Sequence, residues 1–257
     1  MDWYHTIDLP GRGPTPGYFD TRGAPVPLPE RLDGKRCLDV GTYDGYWAFE
    51  MERRGAAEVV AVDVLDPLRW DWPADPTPEV VRTLSAEKRG EAFDAAREAL
   101  GSRVRRRDRS AYDLNPVSDG GFDVVYCGSL TLHLRDPIGA LTAIRSVCRE
   151  TLVLEDAIDV PLTGLLRSQP AATLDGRGRP WWWKVNAAGL ARMTEAAGFE
   201  VVDGPHRFFM RYGAGGPKPR VHLRRLHTRA GREEALLALR GDPHAALLAR
   251  PRPRAAP

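Results

Sequence analysis

The chain has few cysteines, little lysine, almost no net charge and no long apolar run, and each shortage excludes something. Three cysteines in 257 residues, an odd number in apolar contexts, cannot make a disulfide framework. No Cys/His spacing is of the zinc kind, so reduced thiols, no metal centre and a cytoplasmic protein are predicted. No stretch could span a bilayer, and the aromatic, polar N-terminus lacks the charged and apolar regions of a signal peptide. A net charge of +2 with 28% charged residues is balance rather than a nucleic-acid footprint. What is present is an alternation of short apolar runs and amphipathic stretches, at 42% hydrophobic residues, enough for an α/β core. The length suits one domain over 1–250: an N-terminal segment at 1–34, a core at 35–210 and an insertion at 211–243. The Pro/Arg tail at 251–257 is predicted to be disordered.

The rest is organised around Lys35-Arg36-Cys37-Leu38-Asp39-Val40-Gly41-Thr42-Tyr43-Asp44-Gly45-Tyr46-Trp47. Cys37, Leu38 and Val40 form a short buried strand, Gly41 and Gly45 bracket a turn, and a helix pattern runs from Tyr46 to Arg54. Strand, glycine turn and helix N-terminus together make a cradle for a small polar ligand. Glu58 to Asp63 reads as a second apolar strand ending on a carboxylate, about 20 residues beyond the turn, where a ribose-binding acid belongs. Tyr43 and Tyr46 occupy the sites of the second and third glycines of a dinucleotide fingerprint, which disfavours a pyrophosphate and hence NAD. A nucleoside without phosphates suits the same geometry.

This stretch resembles motif I of the class I S-adenosylmethionine-dependent methyltransferases. More narrowly, the chain is similar to the group related to the tRNA wobble-uridine carboxymethyltransferases. That likeness is carried by Trp3 to Pro10, Thr15 to Asp20, Gly128 to Pro137, and Trp182-Trp183 followed by Asn186. It implies a Rossmann-like α/β fold with a seven-stranded, mostly parallel sheet between helices, and S-adenosylmethionine as cofactor. Carried over by position, Asp39, Gly41, Tyr43, Gly45, Asp63, Val64, Ser110, Ala111, Tyr112, Gly128 and Leu130 would surround that cofactor. Two departures stand out. Ser110 sits where related enzymes usually place a carboxylate for the adenine amino group. Leu132 replaces the tyrosine that helps the tRNA enzymes recognise a carboxylated cofactor, so ordinary S-adenosylmethionine and plain methyl transfer are expected.

Trp3, Tyr4, His5, Tyr18 and Phe19 give the first 30 residues an aromatic density unusual for a disordered tail, and predict an ordered segment across the mouth of the site. Glu87 to Leu100 reads as an amphipathic helix, the surroundings of Val104 as the third strand, Phe122 to Cys127 as the fourth and Thr151 to Asp156 as the fifth. Phe199 to Asp203 is a further strand. His244 to Ala249 reads as a final antiparallel strand after a helical Ala235–Leu239. Residues 157–186, with glycines, prolines and Trp181 to Trp183, suggest a lid over an organic substrate. Substrate contacts are assigned to Trp3, Tyr4, Tyr18, Trp181, Trp183 and Asn186. For the base that takes the acceptor's proton, His133 on the loop after the fourth strand comes first, His5 second and Asp156 third. Each has a bland alternative: backbone hydrogen bonding or shaping the cofactor pocket for His133, a leader that merely packs on the outside of the sheet for His5, a structural cap for Asp156. The expected acceptor is a small molecule, such as a secondary metabolite or its sugar, handled by a monomer or homodimer. A tRNA-modifying enzyme, using the arginines of 103–109 and 220–232, is the first rival. A non-catalytic binding module on the same fold is the second.

Overall fold

Short apolar runs with charged or glycine ends become the central strands, and the one-sided apolar stripes become helices that cover them. The computed structural model describes residues 2–72, 77, 79, 82, 90–174 and 181–253. In the leader, β1 (Asp8–Leu9) pairs with β2 (Gly13–Pro14), and β3 (Phe19–Asp20) joins the edge of the main sheet. The core strands follow: β4 (Arg36–Val40), β5 (Glu58–Asp63), β6 (Arg105–Asp108), β7 (Phe122–Gly128) and β8 (Cys148–Ala157). A small hairpin of β9 (Ala172–Leu174) and β10 (Trp183–Val185) precedes β11 (Phe199–Tyr212) and β12 (Asp242–Pro251).

The main sheet has eight strands in the order β3-β11-β12-β8-β7-β4-β5-β6. Strands β8, β7, β4, β5 and β6 are mutually parallel, while β12, β11 and β3 continue the sheet antiparallel. The expected seven strands are all there, and the eighth is the two-residue β3 supplied by the leader. Because β5 lies on one side of β4 and β7 on the other, the winding reverses at β4. A crevice opens at the carboxyl ends of these strands.

Each face of the sheet has its own packed layer. Helices Pro137–Val147 and Ala187–Ala196 bury Leu141, Ile144 and Leu190 on one side. Helices Tyr46–Arg53 and Glu91–Leu100 bury Trp47, Met51, Phe93 and Ala96 on the other. Full burial of such side chains contributes roughly 1.5–3 kcal/mol each. Cys37, Cys127 and Cys148 are all free and buried.

Several boundaries differ from the sequence reading. The helix expected from Glu87 begins at Glu91, after Gly90 in the left-handed region (φ 88°), and 87–89 lie outside the described residues. The third strand sits later, at Arg105–Asp108, with Val104 buried just before it. The strand from Phe199 runs to Tyr212, carried past Asp203 by irregular register against β12. Residues 213–241 hold a short turn at Leu223–Arg225 and a helix at Arg229–Arg240, longer than the five residues expected. Of the tail, Pro251 ends β12 and the Arg252 amide bonds to the Gly198 carbonyl; 254–257 lie outside the described residues. No helix among the described residues is long and apolar enough to cross a membrane.

Candidate active site

The crevice is a cavity of about 420 Å³. Its first wall is the glycine turn. Gly41 takes a φ of 78°, its amide and that of Thr42 bond to the Val62 carbonyl, and a Cβ there would come within 3.2 Å of the Leu130 side chain. Gly45, at φ 89°, serves packing instead: a Cβ would meet the rings of Phe49 at 2.5 Å and Phe93 at 2.7 Å. Asp39 also lies behind the wall. Its Oδ2 accepts from Thr42 Oγ1 (2.6 Å) and the Ala48 amide (3.1 Å), and burial pushes its carboxyl up to about 7. Asp39 and Gly45, both placed against the cofactor by sequence, therefore brace the turn from outside the cavity.

The other cofactor candidates do line it: Gly41, Tyr43, Asp63, Val64, Ser110, Ala111, Tyr112, Gly128 and Leu130. Asp63 is fixed at the end of β5 by the amides of Tyr43 (2.7 Å) and Val64 (2.8 Å). Ser110 Oγ accepts from the Tyr112 amide at 3.3 Å, and nearby Arg109 Nε is buried with no hydrogen-bond partner among the described residues. Asp108 is tied to Arg69 at 3.0 Å and stays out of the wall. A bare glycine backbone, an apolar slot of Val40, Val62 and Leu130, a fixed carboxylate and the Ser110 turn fit an adenosyl group carrying a cationic centre.

Over this half, three loops meet on one residue. Asp71 Oδ2 accepts from the Tyr112 hydroxyl (2.5 Å) and the Arg135 amide (2.8 Å), while the Asp71 carbonyl accepts from Trp182 Nε1 at 2.7 Å.

The second half of the cavity belongs to the leader. Trp3, Tyr4, His5 and Tyr18 line it with Phe19, Trp47, Tyr126, Ser129, His133, Glu155 and Met210. The Tyr4 and Tyr18 rings are parallel at 6.2 Å, and Tyr4 reaches the Tyr43 ring of the glycine turn at 5.4 Å. His5, buried, is locked to that same turn: its amide and its Nδ1 meet the two oxygens of Asp44 at 2.7 and 2.6 Å. With Nδ1–H donating to a carboxylate, Nε2 is left as the proton acceptor. Asp44, fully buried, was missed by sequence reading. Its signal was an acid inside the ligand-binding turn together with a leader histidine already counted among the candidate bases. Glu155 was missed too, since a carboxylate one residue before Asp156 reads as the end of a strand.

Other candidates take different places. His133 lines the cavity, with the Trp181 ring edge-on at 6.3 Å. Asp156 does not line it: its carboxylate accepts from the Thr131 hydroxyl and the amides of Thr131, Leu132 and Ala157, which shapes the loop after β7. Asn186 caps the helix Ala187–Ala196. Its amide is spent on Ala171, Gly189, Leu166 and Gln169, leaving nothing for a substrate. Trp183 donates to the Arg135 carbonyl at 3.3 Å and packs on the core, and neither it nor Trp181 lines the cavity. Among the described residues no group of three or more His, Cys, Asp or Glu could hold a metal ion.

A family model described as a methyltransferase domain matches residues 23–203. The chain belongs to the methyltransferase-domain family. Its fold is that of the class I, S-adenosylmethionine-dependent methyltransferases. The chain is similar to the ubiquinone biosynthesis O-methyltransferases of Neisseria meningitidis serogroup C (strain 053442) and of serogroup A. Identity is 30% over 183 residues in both cases, 67% of this chain and 66% of the relative. The chain thus spans just under two thirds of the length of the curated relatives it matches. Its fold is similar to that of the 1,6-didemethyltoxoflavin-N1-methyltransferase of Burkholderia thailandensis, solved with 1,6-didemethyltoxoflavin and S-adenosylhomocysteine. The TM-score is 0.53 at 16% identity, covering 86% of this chain and 72% of that one. The family match begins at Gly23, so the leader's His5, Tyr4 and Tyr18 lie outside the matched segment.

Proposed function

We propose that the methyltransferase transfers the methyl group of S-adenosylmethionine to a hydroxyl of a small molecule, with His5, oriented by Asp44, as the base. The carrying observation is one continuous cavity lined both by Gly41 and Asp63 and by His5 with the leader aromatics. When bound, the cofactor supplies an electrophilic methyl. The cavity would hold the acceptor hydroxyl in line with that methyl, sulfur being the leaving group, and His5 Nε2 would take the hydroxyl proton. The products are a methyl ether, S-adenosylhomocysteine and an imidazolium. Asp63 and the Gly41 turn hold the ribose end, Ala111 and Tyr112 the base, and His133 guards the rim.

A small acceptor is supported by the fate of the basic run. Arg103, Arg105, Arg106, Arg107 and Arg109 are paired with Glu52, Glu58, Asp94, Asp119 and again Asp119. Phosphate contacts would have to displace carboxylates already in place. Kinship with the wobble-uridine group, in leader and loop, is therefore proposed without its tRNA acceptor. Leu132 is buried and is not part of the cavity wall, so the donor preference is argued from Glu155, whose carboxylate in the wall opposes a carboxylated cofactor. An oxygen acceptor agrees with the names of the Neisseria relatives, and the aromatic walls suit a metabolite or its sugar. A monomer or homodimer in the cytoplasm completes the proposal. Calorimetry should show S-adenosylmethionine binding more tightly than its carboxylated analogue, and a labelled methyl group should pass to a hydroxylated acceptor. Preference for the carboxylated cofactor, or salt-sensitive tRNA binding with transfer to uridine, would overturn it.

A further inference from the structure

Beyond the base and the cofactor wall, the cavity holds one group with an unmet need. Glu155, at the end of β8, is 1% exposed and lines the acceptor half. Its Oε2 accepts from the Tyr126 hydroxyl at 3.2 Å and the Ser129 hydroxyl at 3.5 Å. Its Oε1 is buried and has no hydrogen-bond partner among the described residues. His244 Nε2 lies 3.3 Å from that oxygen, close enough for charge attraction but outside hydrogen-bond geometry. Buried carboxylate oxygens without a donor are costly and rare, and one carried by a residue that lines a ligand cavity points to the ligand as the missing partner.

The surroundings say what kind of donor is missing. His244 sits between Glu155 and Asp242, its Nδ1 being 3.1 Å from the Asp242 carbonyl and 3.4 Å from that residue's carboxylate. Burial works against charge on this imidazole, yet Glu155 and Asp242 together raise its pKa. Neighbouring Asp156 is satisfied by four donors of its own loop and strand. Burial raises the Glu155 carboxyl as well, and His244 attracts Oε1 without hydrogen-bonding it, so the need left at Oε1 is a hydrogen-bond donor, which a neutral hydroxyl supplies.

We propose that Glu155 Oε1 receives a second hydroxyl of the acceptor, one that is not methylated. The substrates are then neutral, polyhydroxylated, flat or sugar-like compounds. Tyr4, Phe19 and Met210 supply the apolar walls against which such a compound lies. The inference rests on the methyl-transfer reading for what happens next, but not for binding.

The test measures binding in the presence of S-adenosylhomocysteine. Dihydroxybenzamides and methyl hexosides serve as probes, each compared with its analogue lacking one hydroxyl and with the analogue carrying an amine there. At least one hydroxylated probe should bind wild-type enzyme about tenfold more tightly than its deoxy partner. In Glu155→Gln the amide oxygen takes the Tyr126 and Ser129 hydroxyls, and the amide nitrogen, which cannot accept, faces the probe. The ratio should fall below about threefold while S-adenosylhomocysteine, whose sulfur carries no charge, still binds. Glu155→Asp, which withdraws the oxygen by one methylene yet keeps the charge opposite His244, carries the same test if the glutamine variant melts early. A ratio that survives both substitutions overturns the proposal. So does tighter binding of the amine than of the hydroxyl, or a wild-type enzyme that discriminates within no pair. Discrimination without any labelled methyl transferred would instead sink the methyl-transfer reading and leave the Glu155 contact standing.

Discussion

Asp44→Asn tests how the base is made. Asp44 is completely buried and offers its two oxygens to two donors of one residue, the amide and the Nδ1–H of His5. Asparagine keeps the shape but has only one acceptor. The backbone amide cannot change its needs, so the asparagine oxygen stays with it and the NH2 turns to Nδ1. A ring nitrogen facing a donor must itself accept, which moves the imidazole proton to Nε2 and removes the lone pair that should take the acceptor's proton. General-base assistance accounts for about 10²- to 10⁴-fold in rate, and kcat should fall by that order. Asp44 is not part of the cavity wall, so S-adenosylmethionine affinity should change less than about threefold. The assay is transfer of a labelled methyl group at saturating cofactor, with calorimetry for the cofactor and a thermal melt for folding. A folded variant with kcat within about fivefold of wild type, or one whose cofactor affinity falls in step with kcat, would refute the reasoning.

Three further outcomes follow from the same geometry. Asp63→Ala removes a carboxylate fixed by two amides at the cavity edge, and S-adenosylmethionine affinity measured by calorimetry should fall at least tenfold, about 1.4 kcal/mol. Gly17→Ala would bring a Cβ within 2.3 Å of the His5 and Thr6 backbone. Since backbone cannot swing aside, the melting temperature and turnover should fall together while cofactor binding persists; unchanged turnover would show that the leader's position does not matter. Asp39, its carboxyl pushed up to about 7 by burial, holds a proton in the folded protein that an unfolded aspartate, near 3.9, has released. Wild-type stability should therefore decline as pH rises from about 4 to about 7, and Asp39→Asn should flatten that decline in urea melts.

How far the sequence carried the argument depended on the range of the interaction. Local patterns were enough for β4, the glycine turn, β5 ending on Asp63, and the loop after β7. Their strand period, glycine spacing and terminal carboxylate are all written within a few residues of one another. What stayed hidden joins distant residues. Asp44 meets a histidine 39 positions earlier, and Glu155 meets His244 across antiparallel strands that no periodicity pairs in advance. Asn186 was misread for a related reason. Asparagine before a helix is an N-cap by local rules, and the family likeness drew it towards the substrate when its local role already used its amide. Trp181 and Trp183 show the limit of composition, because aromatic density marks a sheltered place without saying which side of the shelter each ring faces.

The three cysteines have a use beyond filling the core. Burial pushes the Cys37 and Cys148 thiols up to about 12, and it raises the Cys127 thiol as well. Thiolate, the reactive form, is thus almost absent, and no reagent reaches these sulfurs while the sheet stays closed. The thiols lie on β4, β7 and β8, adjacent strands at the centre of the molecule. Alkylation can proceed only when that centre opens, so its rate is an internal clock for opening of the sheet that needs no engineered label. Occupancy of the crevice at the ends of the same strands should slow the clock in proportion to how tightly the occupant binds.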